Sequence, residues 1–246
     1  MLLDRIASYW DLRADGYSDS IHMELSGETR ERFRGWLLGA LPEGDHKECL
    51  DMGCGPGFFT LILGQEGHRV TSADYSPEML EYTRRNCEEA GLVAHTVRAD
   101  AQNLPFEDGA FDFLCSRNLV WNLEKPEQAY SEWFRVLKPG GRLFIFDGNH
   151  YLYYYDDNYR KAREQAQARG NNEHHTMKGV DPTPINEIAR ELPLSRCHRP
   201  EWDIGVLEQV GFRVLDVDRF TSPFVDPDTQ REKQLVHSFI LRAEKL

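Results

Sequence analysis

The chain has 246 residues, of which 40% are hydrophobic, and its 29 Lys and Arg against 41 Asp and Glu give a formal net charge of −12. This length suits one sizeable α/β domain with a buried core, and the composition excludes a disordered chain. The acidic balance argues against a nucleic-acid partner, because binding to phosphates draws its affinity from clustered Lys and Arg.

The N-terminal segment is interrupted by charges at Asp4, Arg5, Asp11 and Arg13. It therefore lacks the apolar run of a signal peptide, and no later segment is apolar enough to span a bilayer. The five cysteines are scattered and form neither a disulfide framework nor a CxxC metal motif. These features predict a cytoplasmic protein with no membrane partner, no metal site and reduced thiols, and they leave the oligomeric state open.

Beyond this segment, short β-branched or aromatic runs alternate with longer amphipathic runs, which is the pattern of an α/β fold. Strands are predicted at 47–53, 68–76, 93–100, 111–117, 142–148, 212–220 and 233–245, and helices at 57–67, 77–92, 127–138 and 200–212. The run KPGG before the fifth strand predicts a type II turn. The order of elements predicts a doubly wound, mostly parallel sheet of seven strands whose ligands lie beyond the carboxyl ends of the strands.

Three glycines follow the first predicted strand, in the run DMGCGPG that begins at Asp51. A dinucleotide-binding loop has the spacing GxGxxG, whereas Gly53, Gly55 and Gly57 follow GxGxG. Phe58 occupies the third dinucleotide position, which disfavours a pyrophosphate. Asp51 would also repel a pyrophosphate, and it would suit a ligand with an ammonium group.

Two further acids end the next two predicted strands. Asp74 ends the second strand, where a carboxylate can accept hydrogen bonds from both hydroxyls of a ribose. Asp100 ends the third strand and can accept a hydrogen bond from the exocyclic amine of adenine. These three strand ends would therefore bind an amino acid, a ribose and an adenine in succession. S-adenosylmethionine (SAM) is a ligand with these three parts.

The segments CLDMGCGPGFFT, VTSADYSPEML, VRADAQNLPFEDGAFDFLCS and AYSEWFRVLKPGGRLFIFD resemble those of class I SAM-dependent methyltransferases of small molecules. They are similar in particular to the ubiquinone/menaquinone-biosynthesis C-methyltransferases, and they cover residues 48–148. The resemblance implies a Rossmann-like fold over a single domain, 1–246. It also implies an N-terminal helical cap over 1–45. Residues 149–199, where the alternation of strands and helices is interrupted, are predicted to form a helical lid insertion.

The resemblance implies a SAM site built from the glycine loop and the acids. Its cofactor-binding residues would be Asp51, Gly53, Cys54, Gly55, Gly57, Asp74, Tyr75, Met79, Asp100, Ala101 and Tyr17. The glycine loop would hold the methionine moiety, the end of the second strand the ribose, and Asp100 with Ala101 the adenine. An aromatic side chain of the cap, Tyr9, Trp10 or Tyr17, would face the positive sulfonium.

Methyl transfer from a sulfonium is an in-line displacement, which depends on an aligned acceptor and the exclusion of water. His150 follows the fifth strand and is a candidate general base, and Arg117 and Asn118 follow the fourth strand and could bind the acceptor. His174 and His175, in a polar stretch of the insertion, are further candidate bases. Five tyrosines at the start of the insertion either touch the acceptor or pack the insertion onto the sheet: Tyr151, Tyr153, Tyr154, Tyr155 and Tyr159.

The residues described above are compatible with three functions. The favoured one is a SAM-dependent methyltransferase that acts on a small molecule, whose accepting atom the sequence does not reveal. The second is an NAD(P)-dependent oxidoreductase, which Phe58 and Asp51 disfavour. The third is a partner protein that binds SAM without catalysis.

Overall fold

The computed structural model describes residues 1–169 and 178–246, and within them seven strands form one sheet. The strands are β1 (Glu48–Met52), β2 (Arg69–Asp74), β3 (His95–Arg98), β4 (Phe111–Arg117), β5 (Leu137–Gly148), β6 (Phe212–Val225) and β7 (Glu232–Lys245). The α-helices are α1 (Leu2–Leu25), α2 (Glu28–Ala40), α3 (Phe58–Gln65), α4 (Pro77–Glu89), α5 (Pro126–Val136), α6 (Asp157–Ala168), α7 (Thr183–Glu191) and α8 (Glu201–Val210). Among the described residues, no helix has both the length and the apolar character needed to cross a bilayer. The predicted seven-stranded α/β fold is confirmed, with shifted strand bounds.

The sheet is mixed, and the expectation of a mostly parallel sheet is wrong. The strand order is β3-β2-β1-β4-β5-β7-β6. The pairs from β3 to β5 are parallel, whereas β7 is antiparallel to both β5 and β6. A parallel pair needs a crossover of about a dozen residues or more. The connection at 226–231 is too short for one, so β6 and β7 pair as a long hairpin.

The predicted turn KPGG lies within β5 as a bulge. Leu137 and Arg142 pair with Phe111 and Phe113 of β4, so the four residues between Leu137 and Arg142 loop out of the ladder. Gly140 has a φ of +76°, which is the left-handed conformation that the third position of a type II turn requires. The strand therefore begins earlier than the hydrophobic run alone predicts.

Helices cover both faces of the sheet, as a doubly wound arrangement requires. On one face, Trp133 of α5 and Leu207 of α8 belong to one buried cluster. On the other face, Phe33 of α2 and Phe59 of α3 pack with Phe144 of β5 in a second cluster. The alternation of side chains along each strand directs apolar residues into both layers.

The insertion between β5 and α8 packs against the N-terminal helix. Ile188 of α7 lies in one buried cluster with Ile6 of α1 and with Trp121, which belongs to a short 3-10 helix after β4. The insertion, α1 and the turn after β4 therefore share one small core at the carboxyl end of the sheet.

A buried arginine joins the end of β5 to the start of α8. The Arg199 guanidinium contacts Asp147 at 3.1 Å and donates to Asp203 at 2.9 and 2.7 Å, and all three side chains are at most 1% exposed. The hydroxyl of buried Tyr130 also donates to Asp203. Burial alone would raise the pKa of Asp147, but the charge of Arg199 and the hydrogen bond from His150 outweigh it and lower that pKa.

The same arginine closes the insertion at its base. The Asn149 side chain donates to the Arg199 carbonyl at 2.9 Å and accepts from the Arg199 N–H at 3.1 Å. Asp147 also accepts a hydrogen bond from the Trp121 N–H at 3.2 Å. The two ends of the insertion and the turn after β4 are thus fixed to one buried ionic cluster.

Replacing Arg199 with Met should destabilise the protein strongly, because two buried carboxylates lose their cation. We expect a loss of about 3–5 kcal/mol in the free energy of unfolding, measured by urea denaturation. The matched control is Arg196→Met at an exposed position of the same segment, and we expect it to cost less than about 1 kcal/mol.

Adding Asp147→Asn and Asp203→Asn to Arg199→Met removes the uncompensated charges, and this triple variant should recover part of the lost stability. If the triple variant is no more stable than Arg199→Met, unpaired charge is not the cause of the loss.

Candidate active site

A cleft opens at the carboxyl ends of β1 to β4 beneath α1, and it encloses about 700 Å³ including its mouth. Ten of the sequence-predicted site residues line it: Tyr17, Gly53, Gly55, Asp74, Tyr75, Met79, Asp100, Ala101, Arg117 and Asn118. The other four, Asp51, Cys54, Gly57 and His150, lie outside its lining. The structure therefore brings together most of the predicted donor site.

The turn after β1 is hydrogen-bonded to β2, and the conformation and surroundings of Gly53 within it favour glycine. The N–H groups of Gly53 and Cys54 both donate to the Ala73 carbonyl, at 2.8 and 3.1 Å. Gly53 has a φ of +69°, and a Cβ there would stand 2.8 Å from the Leu119 side chain. Any side chain at this position would strain the turn and push the opposite wall of the cleft outward.

Two carboxylates face the cleft with unused hydrogen-bonding capacity. Asp74 accepts from the N–H groups of Gly55 at 3.0 Å and Ser76 at 2.9 Å, one on each oxygen. Each oxygen keeps one lone pair for a ligand. Burial raises the pKa of Asp74, although its backbone hydrogen bonds oppose the shift. Asp100 accepts twice from Gln102 on Oδ1, at 2.9 Å each, which leaves Oδ2 for a ligand.

Asp51 lies beneath the glycine turn, not on the cleft wall. Its Oδ2 accepts from the Thr60 N–H at 2.9 Å and from the Thr60 hydroxyl at 2.7 Å. Thr60 is the third residue of α3, so Asp51 satisfies one of the free N–H groups at the start of that helix. Burial raises the pKa of Asp51 to about 7, against the opposing effect of the Thr60 hydrogen bonds.

Cys54 and Gly57 also serve the turn itself. The Cys54 thiol is buried 3.5 Å from the Thr83 hydroxyl, and burial raises its pKa well above the usual value. It is therefore an unreactive thiol. Gly57 caps the start of α3 with a φ of +96°, and a Cβ there would stand 3.2 Å from Thr83.

Arg117 and Asn118 form the cleft wall at the end of β4. The Arg117 guanidinium lies 4.3 Å from the Phe58 ring centroid, and its Nη2 donates to Glu24. Its Nε and Nη1 are buried and have no hydrogen-bond partner within the described residues, and the same holds for Oδ1 of Asn118. Buried polar groups without partners are costly, so these atoms mark a place where a ligand would supply the missing bonds.

His150 lies behind this wall. Its Nε2 is 3.3 Å from Oδ1 of Asp147, and its ring packs at 5.5 Å from the Trp121 ring. Trp121 in turn packs at 6.4 Å from Trp10, which lines the cleft. Trp121 therefore separates His150 from the cleft. The candidate bases His174 and His175 lie outside the described residues.

The tyrosines of the insertion do not line the cleft. Instead, three of them lie beneath arginines, at ring-centroid distances of 3.8, 4.0 and 4.7 Å: Tyr153 with Arg163, Tyr154 with Arg190, and Tyr155 with Arg196. This arrangement fits packing within the insertion. Of the cap aromatics, Trp10 and Tyr17 line the cleft, whereas Tyr9 is buried against α7.

Sequence reasoning missed the apolar face that α1 turns toward the cleft. Leu3, Ile6 and Ala7 line it together with Trp10. Their spacing of three and four positions is the signature of an amphipathic helix, and it was available in the sequence.

Residues 50–145 match the family model of the methyltransferase domain. Demethylmenaquinone methyltransferase of Thermus thermophilus is 41% identical over 131 residues, which are 52% of this chain and 60% of that protein. The ubiquinone/menaquinone biosynthesis C-methyltransferase UbiE of Vibrio vulnificus is 34% identical over 148 residues, which are 58% of this chain and 54% of that protein. The chain thus spans less than two thirds of the length of these two relatives.

The fold is also that of solved methyltransferases. The crystal structure of a SAM-dependent methyltransferase from Methanosarcina mazei has a TM-score of 0.58 and 22% identity, covering 86% of this chain and 97% of that one. At this level of identity the likeness concerns the fold alone.

The raised pKa of Asp51 predicts a pH-dependent contribution to stability. A carboxyl that holds its proton in the folded state, with a pKa of about 7 against 3.8, stabilises the fold fully below pH 4. This contribution is lost as the pH rises through about 7. We expect the stability of Asp51→Asn relative to the wild type to rise by up to about 4 kcal/mol between pH 4 and pH 8, measured by urea denaturation.

The control is Asp45→Asn in an exposed loop, whose stability relative to the wild type should stay level over the same range. A level difference for Asp51→Asn as well would show that Asp51 is ionised in the folded protein.

Proposed function

We propose, from the premise that the central segment of this chain is a class I methyltransferase domain, that the protein transfers the methyl group of SAM to a small-molecule acceptor. The observation that carries the proposal is the cleft wall on which the glycine turn, Asp74 and Asp100 follow three neighbouring strands. A ligand there meets, in order, a close backbone approach and two carboxylates with free lone pairs. SAM offers an amino acid, a ribose and an adenine in that order.

The parts of SAM would be distributed along this wall as follows. The methionine moiety lies against Gly53 and Gly55, the ribose hydroxyls donate to Asp74, and the adenine amine donates to Asp100. The sulfonium lies near the rings of Trp10 and Tyr17, whose centroids are 6.0 Å apart. The face of an aromatic ring attracts a cation without bringing water into contact with it.

The acceptor would approach from the side of α1 and the turn after β4. In the transfer step, its nucleophilic atom forms a bond to the methyl carbon while the carbon–sulfur bond breaks and its electron pair returns to sulfur. The products are the methylated acceptor and neutral S-adenosylhomocysteine (SAH), and any proton that the acceptor loses passes to a base. Arg117 and Asn118 supply hydrogen bonds that hold the acceptor in line.

We retain His150 as the candidate base. When Nε2 donates to Asp147, Nδ1 is the basic nitrogen of the ring. Because Trp121 packs between His150 and the cleft, this role requires Trp121 to shift when the acceptor binds. The shared core of α1, α7 and Trp121 supports such coupling, in which residues 1–45 act as a cap and residues 149–199 as a lid that excludes water.

Calorimetric titration with SAH tests the donor site. We expect micromolar binding by the wild type and at least a hundredfold weaker binding by Asp74→Ala, because two charge-assisted hydrogen bonds to the ribose are lost. The control Asp216→Ala removes a carboxylate from the exposed strand β6 and should bind SAH as the wild type does.

Titration with NADH under the same conditions should give no heat of binding. Binding of NADH without binding of SAH would end the methyltransferase proposal and favour an oxidoreductase. Binding of SAH without SAH production from SAM, over a broad panel of acceptors, would favour a partner protein that holds SAM without catalysis.

A further inference from the structure

One polar face of α1 is hydrogen-bonded to α4. Four polar residues of α1 recur at intervals of four, three and four positions, so they lie on the same face of that helix. Each of them hydrogen-bonds to α4 or to its N-cap residue: Asp11 to Ser76, Asp15 to Tyr82, and both Ser18 and His22 to Asn86. Asn86 therefore receives two of these four contacts.

Asn86 joins three segments through one side chain. It lies inside α4, where asparagine is an unfavourable residue, and it is only 4% exposed. Its Nδ2 donates to the Pro56 carbonyl at 2.8 Å and to the Ser18 hydroxyl at 3.1 Å, and its Oδ1 lies 3.0 Å from Nε2 of His22. The buried amide is thus satisfied by α1 on one side and by the glycine turn on the other.

The orientation of this amide is fixed by its partners. The Pro56 carbonyl can only accept a hydrogen bond, so the amide nitrogen faces it. The amide oxygen then faces His22, whose Nε2 carries the hydrogen that it donates. Aspartate at this position would set an acceptor against the carbonyl, and leucine would supply no donor at all.

The two segments that the amide holds carry residues of the cleft wall. Ser18 follows Tyr17 and Pro56 follows Gly55, and both Tyr17 and Gly55 line the cleft. A Cβ on Gly55 would stand 3.3 Å from the Tyr17 ring, so this ring lies directly over the glycine turn. The Gly55 carbonyl also accepts from the hydroxyl of Thr83, another residue of α4, at 2.6 Å. The spacing between ring and turn is therefore set from α4.

We propose that Asn86 is a positioning residue for the methyl donor. It joins Ser18 to Pro56 and thereby fixes the Tyr17 ring over the turn that receives the methionine moiety of SAM. This role rests on the proposed methyltransferase function. Asn86 lies outside the lining of the cleft, so it acts through Tyr17 and Gly55 and does not touch SAM. Without the amide, binding of the donor must itself order α1 against the turn.

Calorimetric titration of the full-length protein with SAH tests this role. Asn86→Leu keeps the branched shape of the side chain and removes both donors and the acceptor. We expect it to weaken SAH binding by at least about tenfold, because the ligand must then order two segments. Ser18→Ala breaks the contact with α1 alone and should weaken SAH binding by about threefold.

The matched control is Cys87→Ala at the next position of α4. Cys87 is 1% exposed, and it faces a separate surface depression with Leu92 and His95, outside the lining of the cleft. This variant should unfold at a lower temperature and bind SAH as the wild type does. Thermal unfolding of every variant verifies that the titrated protein is folded.

A double variant tests whether Asn86 acts through Tyr17. Tyr17→Leu removes the ring that lies over the turn and should weaken SAH binding by itself. Adding Asn86→Leu to Tyr17→Leu should then weaken binding by less than about threefold, because the effects of two residues that act together are not additive.

The outcomes separate this proposal from the methyltransferase proposal. The positioning role of Asn86 is overturned if Asn86→Leu binds SAH as the wild type does, if Cys87→Ala weakens binding as much, or if the full tenfold loss persists in Tyr17→Leu. Absence of SAH binding by the wild type would instead end the methyltransferase proposal, and the role of Asn86 would end with it.

Discussion

The contact of Arg199 with Asp147 and Asp203 is the constraint on which the carboxyl end of the sheet depends, where the cleft wall and the insertion lie. A guanidinium and two carboxylates without access to water are tolerated because Arg199 forms an ion pair with Asp147 and donates hydrogen bonds to Asp203, while further N–H and O–H donors satisfy the carboxylates. Asp147 also holds the turn after β4 through the Trp121 N–H, and Asn149 ties the base of the insertion. The wall of the cleft and the segment above it are therefore positioned by the same buried charges.

The two sides of the cleft are built in different ways. The donor side of the cleft is built from strand ends whose spacing the parallel part of the sheet sets, so its geometry follows from regular hydrogen bonding. The other side is built from α1 and the turn after β4, which side-chain packing joins to the insertion. Such packing can change from one protein to the next without disturbing the strands, which is why the substrate is not readable from the strand pattern.

Much of the donor side could be predicted because its signals are local. The need for glycine at position 53 follows from the conformation of one turn. The start of α4 follows from the neighbouring Ser76 and Pro77, since the Ser76 side chain accepts from the Met79 N–H at 3.1 Å. The role of Asp51 was not predictable, because the start of α3 competes with a ligand for the same carboxylate. The antiparallel pairing of β7 depends on a short connection outside both hydrophobic runs, and the position of His150 behind Trp121 depends on packing between distant segments.

The two outer strands of the sheet have a consequence for how copies of this protein meet. At one edge β3 has only four residues, and at the other edge β6 has fourteen. A long open edge presents unpaired backbone groups to which a strand of another molecule can add. Here Arg213, Asp218 and Arg219 place charges along that edge, and Pro223 lacks the N–H that such pairing would use. One edge is thus too short and the other too charged to seed cross-strand aggregation, which lets the chain keep a long hairpin at the border of its sheet.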